Sequence, residues 1–150
     1  MKLFDFGLAK KLRPDELHSN GLYNMTGNTG SLLYMSPEVA LAKPYDNRVD
    51  TYSFGILLWQ LCALEKPFKG FNRISHLELV VHGGYRPNMD GNSIWPKCCT
   101  ELIELCWAAD IYIRPNFDHI VNVLDQEVLR ITEKISRIMD AGVNAVKPLF

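Results

Sequence analysis

The chain has almost no net charge: 16 lysines and arginines stand against 17 aspartates and glutamates, for a formal charge of −1 over 150 residues. That balance removes the electrostatic case for nucleic acid or an anionic membrane surface as a partner. Long apolar runs are also missing. The longest, residues 54–64, is broken by Gln60 and is too short to cross a bilayer. Lys2 is followed by no extended apolar core, so the N-terminus does not have the form of a signal peptide. The four cysteines (Cys62, Cys98, Cys99 and Cys106) contain no C-x-x-C pair and no partnering histidine spacing of the kind zinc uses. Reduced, mostly buried thiols in a cytoplasmic protein are expected instead. The histidines, His18, His76, His82 and His119, have no metal-like spacing and are expected at the surface. There is no internal repeat, no low-complexity segment and no G-x-G-x-x-G.

What is present is an ordinary globular composition, 47% hydrophobic and 22% charged, which suits one domain with a sizeable core. Residues 1–4 have the pattern of the end of a short strand. Residues 12–29 are polar and rich in Gly, Asn, Ser and Thr without a hydrophobic period, which marks a long and therefore functional loop. Ser36-Pro37-Glu38 predicts a helix start, with serine as a cap, proline in the first turn and glutamate at the positive end. A longer helix is predicted from about Arg48 to Leu64, apolar round most of its circumference and so central to the domain. A weaker helix is predicted over residues 72–81, closed by Gly83-Gly84, and a loop over residues 86–96. Further helices are predicted over residues 100–107 and from Pro115, the latter with Phe117, Ile120, Val121, Leu124 and Val128 at helical spacing. Ile131, Ile135, Ile138 and Met139 would extend it.

Four signatures follow one another in order. Asp5-Phe6-Gly7 comes first; Tyr34-Met35-Ser36-Pro37-Glu38 is a variant of A-P-E with serine for alanine. Asp50-Thr51-Tyr52-Ser53-Phe54-Gly55 heads the long helix, and Cys106-Trp107, Asp110 and Arg114-Pro115-x-Phe117 precede the last one. Together they resemble the eukaryotic-type protein kinases from the D-F-G turn onward. The ending is similar to that of the tyrosine-kinase-like group of serine/threonine kinases. The resemblance implies a mainly α fold, a kinase carboxy-lobe with a short N-terminal strand and a long activation loop. It implies a partial kinase domain over residues 1–130, with the activation segment at 5–38 and the helical lobe at 39–130, and a C-terminal extension at 131–150.

In such kinases Asp5 would be the magnesium ligand that also holds the nucleotide phosphates. Phe6 would be the packing residue that marks active and inactive states, and Gly7 would permit the sharp turn. Where the other half of the site is absent, Asp5 is simply an exposed acid beside a turn. Ser31 falls where serine/threonine kinases place a hydroxyl against the catalytic loop, and no proline or tryptophan of the tyrosine-kinase type lies between Gly30 and Met35. Protein serine and threonine are therefore the expected acceptors. Ser19, Tyr23, Thr26 and Thr29 are candidates for activation-loop phosphorylation, with Thr26 and Thr29 preferred, although each is equally an ordinary polar loop residue. Glu38 and Arg114 are the expected structural ion pair. Asp50 would accept hydrogen bonds from the catalytic loop, or cap its own helix.

The V-A-I-K lysine and an H-R-D followed by asparagine are not found, and with the glycine-rich loop these supply the rest of the family's ATP and Mg²⁺ chemistry. The expectation is therefore a segment of a serine/threonine kinase, with Met1 an internal methionine, that is inactive without its amino-lobe and catalytic loop. A short non-catalytic lobe that docks substrates or competes with a complete kinase is the alternative, and a split enzyme completed by another chain is a third reading.

Overall fold

The computed structural model describes residues 5–89 and 94–145. The strand expected over residues 1–4 lies outside them. Among the described residues there is no regular strand, only isolated antiparallel bridges joining Leu17 to Tyr23 and Tyr23 to Tyr45. The helices are α1 (Pro37–Ala40), α2 (Arg48–Ala63), α3 (Arg73–Ser75), α4 (Lys97–Cys106) and α5 (Phe117–Ala145). α3 widens directly into a π-helix over His76–His82. No described helix is long and apolar enough to cross a membrane.

α2 is the axis of the fold, as its circumferential apolarity predicts. Tyr52 and Ile56 are fully buried, and Trp59 nearly so, in a core completed by Leu102, Ile103 and Cys106 of α4 and Ile120 of α5. Gly55 lets α2 and α4 approach closely: a Cβ there would lie 2.7 Å from Cys106 Cβ and 3.3 Å from Trp107 N. The helix stops at Ala63 because Leu64 takes a left-handed conformation, φ 54°, from which its N–H still donates to Gln60 O at 2.9 Å.

Capping sets the other boundaries. In α3, Asn72 Oδ1 accepts from Ser75 N and Ser75 Oγ accepts from Asn72 N, both at 2.9 Å, which satisfies two otherwise orphaned donors. α5 starts two residues after Pro115, where Asn116 Oδ1 accepts from His119 N at 2.9 Å. α4 starts at Lys97, three residues ahead of the expected Thr100. α5 runs unbroken past Arg130 to Ala145, so the extension suggested by Ile131, Ile135 and Ile138 is helical.

The expectation of surface histidines fails at His76. It is fully buried, edge-on to Phe68 with ring centroids 5.5 Å apart, and its two ring nitrogens meet no hydrogen-bond partner among the described residues. Burial, and secondarily the Arg86 charge, lower its pKa from 6.5, so the folded ring is held neutral. The four cysteines are free thiols; Cys106 is buried and the other three half-buried. Burial pushes the Cys98 thiol up to about 11 and Cys106 up to about 12.

Two outcomes follow from this packing. Alanine inside a helix normally gains about 1 kcal/mol over glycine, but Gly55→Ala is expected to lose about 1–3 kcal/mol in urea unfolding, because its methyl collides with α4. A gain would mean that the helices do not approach so closely. For His76, both folded and unfolded states are neutral above the unfolded pKa, and stability is then full. Below it the unfolded chain takes up a proton that the folded ring refuses, so stability falls with acidification. Between about pH 7.5 and about pH 5.5, His76→Leu is expected to lose less of its urea midpoint than the parent chain; equal losses would contradict a buried neutral ring.

Candidate functional site

Residues 5–36 form the long loop, interrupted only by 3₁₀ turns at Pro14–Glu16 and Leu32–Tyr34. It is fastened to the helical body at several points. Tyr23 and Tyr45 exchange backbone hydrogen bonds of 2.9 and 3.0 Å, and Tyr112 Oη donates to Asn20 O at 2.9 Å. Tyr45 Oη donates to Thr26 O at 2.8 Å. Where the loop meets α2, Ser53 Oγ donates to Tyr34 O at 2.8 Å and the Tyr34 hydroxyl donates to Gln60 Oε1.

The return of the loop is locked by a buried ion pair. Glu38, in the first turn of α1, receives both terminal nitrogens of the Arg114 guanidinium, whose side chain is completely buried. Two further donors are used: Arg114 Nε reaches Ala108 O at 3.0 Å and Nη1 reaches Arg48 O at 3.3 Å. The guanidinium stands 5.1 Å from the centroid of the Tyr52 ring, and so does that of Arg86. Arg86 in turn donates from Nε to Trp107 O at 3.0 Å. Burial lowers the Arg86 pKa and raises that of Tyr52. Two guanidinium groups thus stand against the one buried Tyr52 ring, and the Arg114 contacts join the loop before α5 to α1 and α2 at once. The Glu38–Arg114 pair is the structural ion pair that the kinase resemblance implied. Arg86 was not legible, because it lies in a loop with no period to flag it.

Asp5, Phe6, Ser31 and Asp50 all line one open groove of about 930 Å³, floored by apolar side chains including Tyr34, Phe54, Leu57 and Phe117. Asp5 has φ 63°, in the left-handed region that acidic side chains tolerate better than most. Its Oδ1 accepts from Gly7 N at 3.2 Å, closing a turn that leaves its carboxylate exposed. Phe6 is 72% exposed and packs into no core. Ser31 is exposed and precedes the Leu32–Tyr34 turn without capping it.

Asp50 does not cap α2. That helix has Asn47 at the cap position without a side-chain bond, and Asp46 is the acid that organises the entry, with Oδ1 accepting from Arg48 N at 2.9 Å and Oδ2 pairing with Arg48 Nη2 at 2.6 Å. Asp50 instead lines the groove, where partial burial of its carboxyl raises the pKa. The expected Ser36 cap is not made either. Ser36 is buried and its hydroxyl meets no hydrogen-bond partner among the described residues, in the place where the A-P-E pattern has alanine. Thr26 is exposed, and Thr29 is half-buried with its hydroxyl donating to Thr26 O at 3.3 Å.

Among the described residues no three His, Cys, Asp or Glu side chains come together as a metal cage. Magnesium does not require one: it keeps several waters and takes one or two carboxylates together with phosphate oxygens. An exposed carboxylate on a fixed turn, as at Asp5, fits one such ligand position and does not make a complete site.

Residues 1–124 match the model of a family described as protein tyrosine and serine/threonine kinase. Serine/threonine-protein kinase STY17 of Arabidopsis thaliana is 37% identical over 126 residues, covering 84% of this chain and 20% of that protein. Serine/threonine-protein kinase VIK, also of Arabidopsis thaliana, is 36% identical, covering 84% of this chain and 28% of that protein. Dual specificity protein kinase shkB of Dictyostelium discoideum is 36% identical over 122 residues, covering 80% of this chain and 18% of that protein. The chain thus spans less than a third of the length of each of these relatives.

Proposed function

Since the chain belongs to the protein tyrosine and serine/threonine kinase family, we propose that it supplies the activation segment and helical lobe of a cytoplasmic kinase that transfers the ATP γ-phosphate to serine and threonine of protein substrates. The observation that carries this reading is the convergence of Asp5, Ser31 and Asp50 on a single open groove. Asp5 is the residue for Mg²⁺, with Phe6 and Gly7 shaping its turn. Ser31 and Asp50 face the position that a catalytic loop would take, Ser31 through its hydroxyl and Asp50 as an acceptor for that loop's backbone N–H groups. Thr26 and Thr29 are the proposed phosphorylation positions on the loop. Residues 1–130 form the kinase portion and 131–150 an extension.

The same groove supports the inactivity of the isolated chain. Its floor is apolar and solvent-exposed, a state that a polypeptide bearing the amino-lobe and catalytic loop would relieve. Phosphoryl transfer is mostly positioning and charge stabilisation, and one carboxylate provides little of either. An exposed apolar groove also suits the second reading, a lobe that docks kinase substrates without catalysis.

The test is transfer of labelled phosphate to a mixed protein substrate. The isolated chain is expected to give none. Joined behind the amino-lobe and catalytic loop of the STY17 relative, it is expected to label serine and threonine. Asp5→Asn should then reduce labelling by about a hundredfold or more, since a catalytic metal contributes several kcal/mol to the barrier. A folded but silent chimera would favour the docking reading, and labelling confined to tyrosine would overturn the assignment of acceptor.

A further inference from the structure

Past Glu127 the last helix leaves the lobe, three residues beyond the end of the family match. Across that point an apolar series continues at alternating intervals of three and four: Val121, Leu124, Val128, Ile131, Ile135 and Ile138. Leu124 is half-buried against the core. The others face water, Val121 at 51%, Val128 at 60%, Ile131 at 39%, Ile135 at 52% and Ile138 at 62% exposure. A 3-4 repeat of this kind is the seam of a coiled coil, and over 18 residues it is about 27 Å long.

The charges beside the seam choose both the partner and its direction. Glu127 and Lys134 occupy the same flank, each immediately before a seam residue and one heptad apart. In a parallel pair of these helices Glu127 would face Thr132 and Lys134 would face Met139, and no ion pair would form. In an antiparallel pair the flank faces itself. Glu127 then lies beside the partner's Lys134 and Lys134 beside the partner's Glu127. The same register sets Val121 against Ile138, Leu124 against Ile135 and Val128 against Ile131. Sliding by one heptad in either direction brings Lys134 onto Lys134 or Glu127 onto Glu127.

We propose that α5 pairs antiparallel with α5 of a second copy of this chain, in the register that joins Glu127 to Lys134. Glu127 already receives Arg130 of its own helix on both carboxylate oxygens, at 2.8 and 2.5 Å, and its side chain keeps 14% of its surface exposed; through that opening the partner's Lys134 adds a second cation to the carboxylate. The pairing covers the exposed isoleucines and carries the two kinase lobes to opposite ends of the paired helices.

Sedimentation equilibrium of the 150-residue chain tests this directly. The parent chain is expected to be a dimer at micromolar concentrations, and Ile135→Asp a monomer with the same helical circular dichroism. Glu127→Lys and Lys134→Glu, each alone, should weaken the dimer by about tenfold, because both put two like-charge contacts into the pair. Mixed in equal amounts, the two variants should recover parental association as a heterodimer. A monomeric parent, a dimer indifferent to Ile135→Asp, or a mixture no tighter than its components would each overturn the proposal.

Discussion

One buried ion pair determines how the two ends of this lobe meet. Arg114 comes from the loop before α5 and Glu38 from the return of the long loop, 76 positions apart in sequence. Neither is stable in the interior alone, since an unpaired buried charge costs several kcal/mol. Their pairing is therefore less a source of net stability than a condition on geometry. The long loop must end where Glu38 reaches Arg114, and α5 must begin where Arg114 leaves off. Tyr52 places the pair over the N-terminal part of α2, and Thr51, its neighbour, donates to Pro115 O at 3.1 Å from the same turn.

That constraint explains the groove. With residues 31–38 held at one side of α2 and Phe117 at the other, the exposed flank of α2 between them, with Phe54 and Leu57, becomes the groove floor. α2 is thus apolar on two sides: one flank meets α4 through Gly55, and the other lines the groove. The activity proposed for the lobe lives on that second flank, whereas its folding depends on the first.

Much of this was legible in the residues. The extent of α2 followed from an apolar surface too broad for a solvent-facing helix, and the α5 stripe from its helical spacing. The Glu38–Arg114 pair is the one the resemblance to protein kinases implied. The misses have physical causes. α4 begins early because Lys97, Cys98 and Cys99 carry no apolar period of their own and simply extend the helix back towards Pro96. His76 was placed at the surface by residue type, although it lies four residues before the buried Val80 and so on the same helical face. Asp50 lost the capping role to Asp46, whose carboxylate reaches Arg48 two residues on through a local turn that helical periodicity does not register.

The most direct measurement is a double-mutant cycle across the buried pair by urea unfolding, with Glu38→Gln, Arg114→Met and both together. If the pair sets the geometry, each single change costs about 3–5 kcal/mol. The double change then costs less than their sum by at least about 1 kcal/mol, because the second substitution removes a charge already left without its partner. Additivity to within about 0.5 kcal/mol would mean that the two residues act separately, and that something else brings the loop and α5 together.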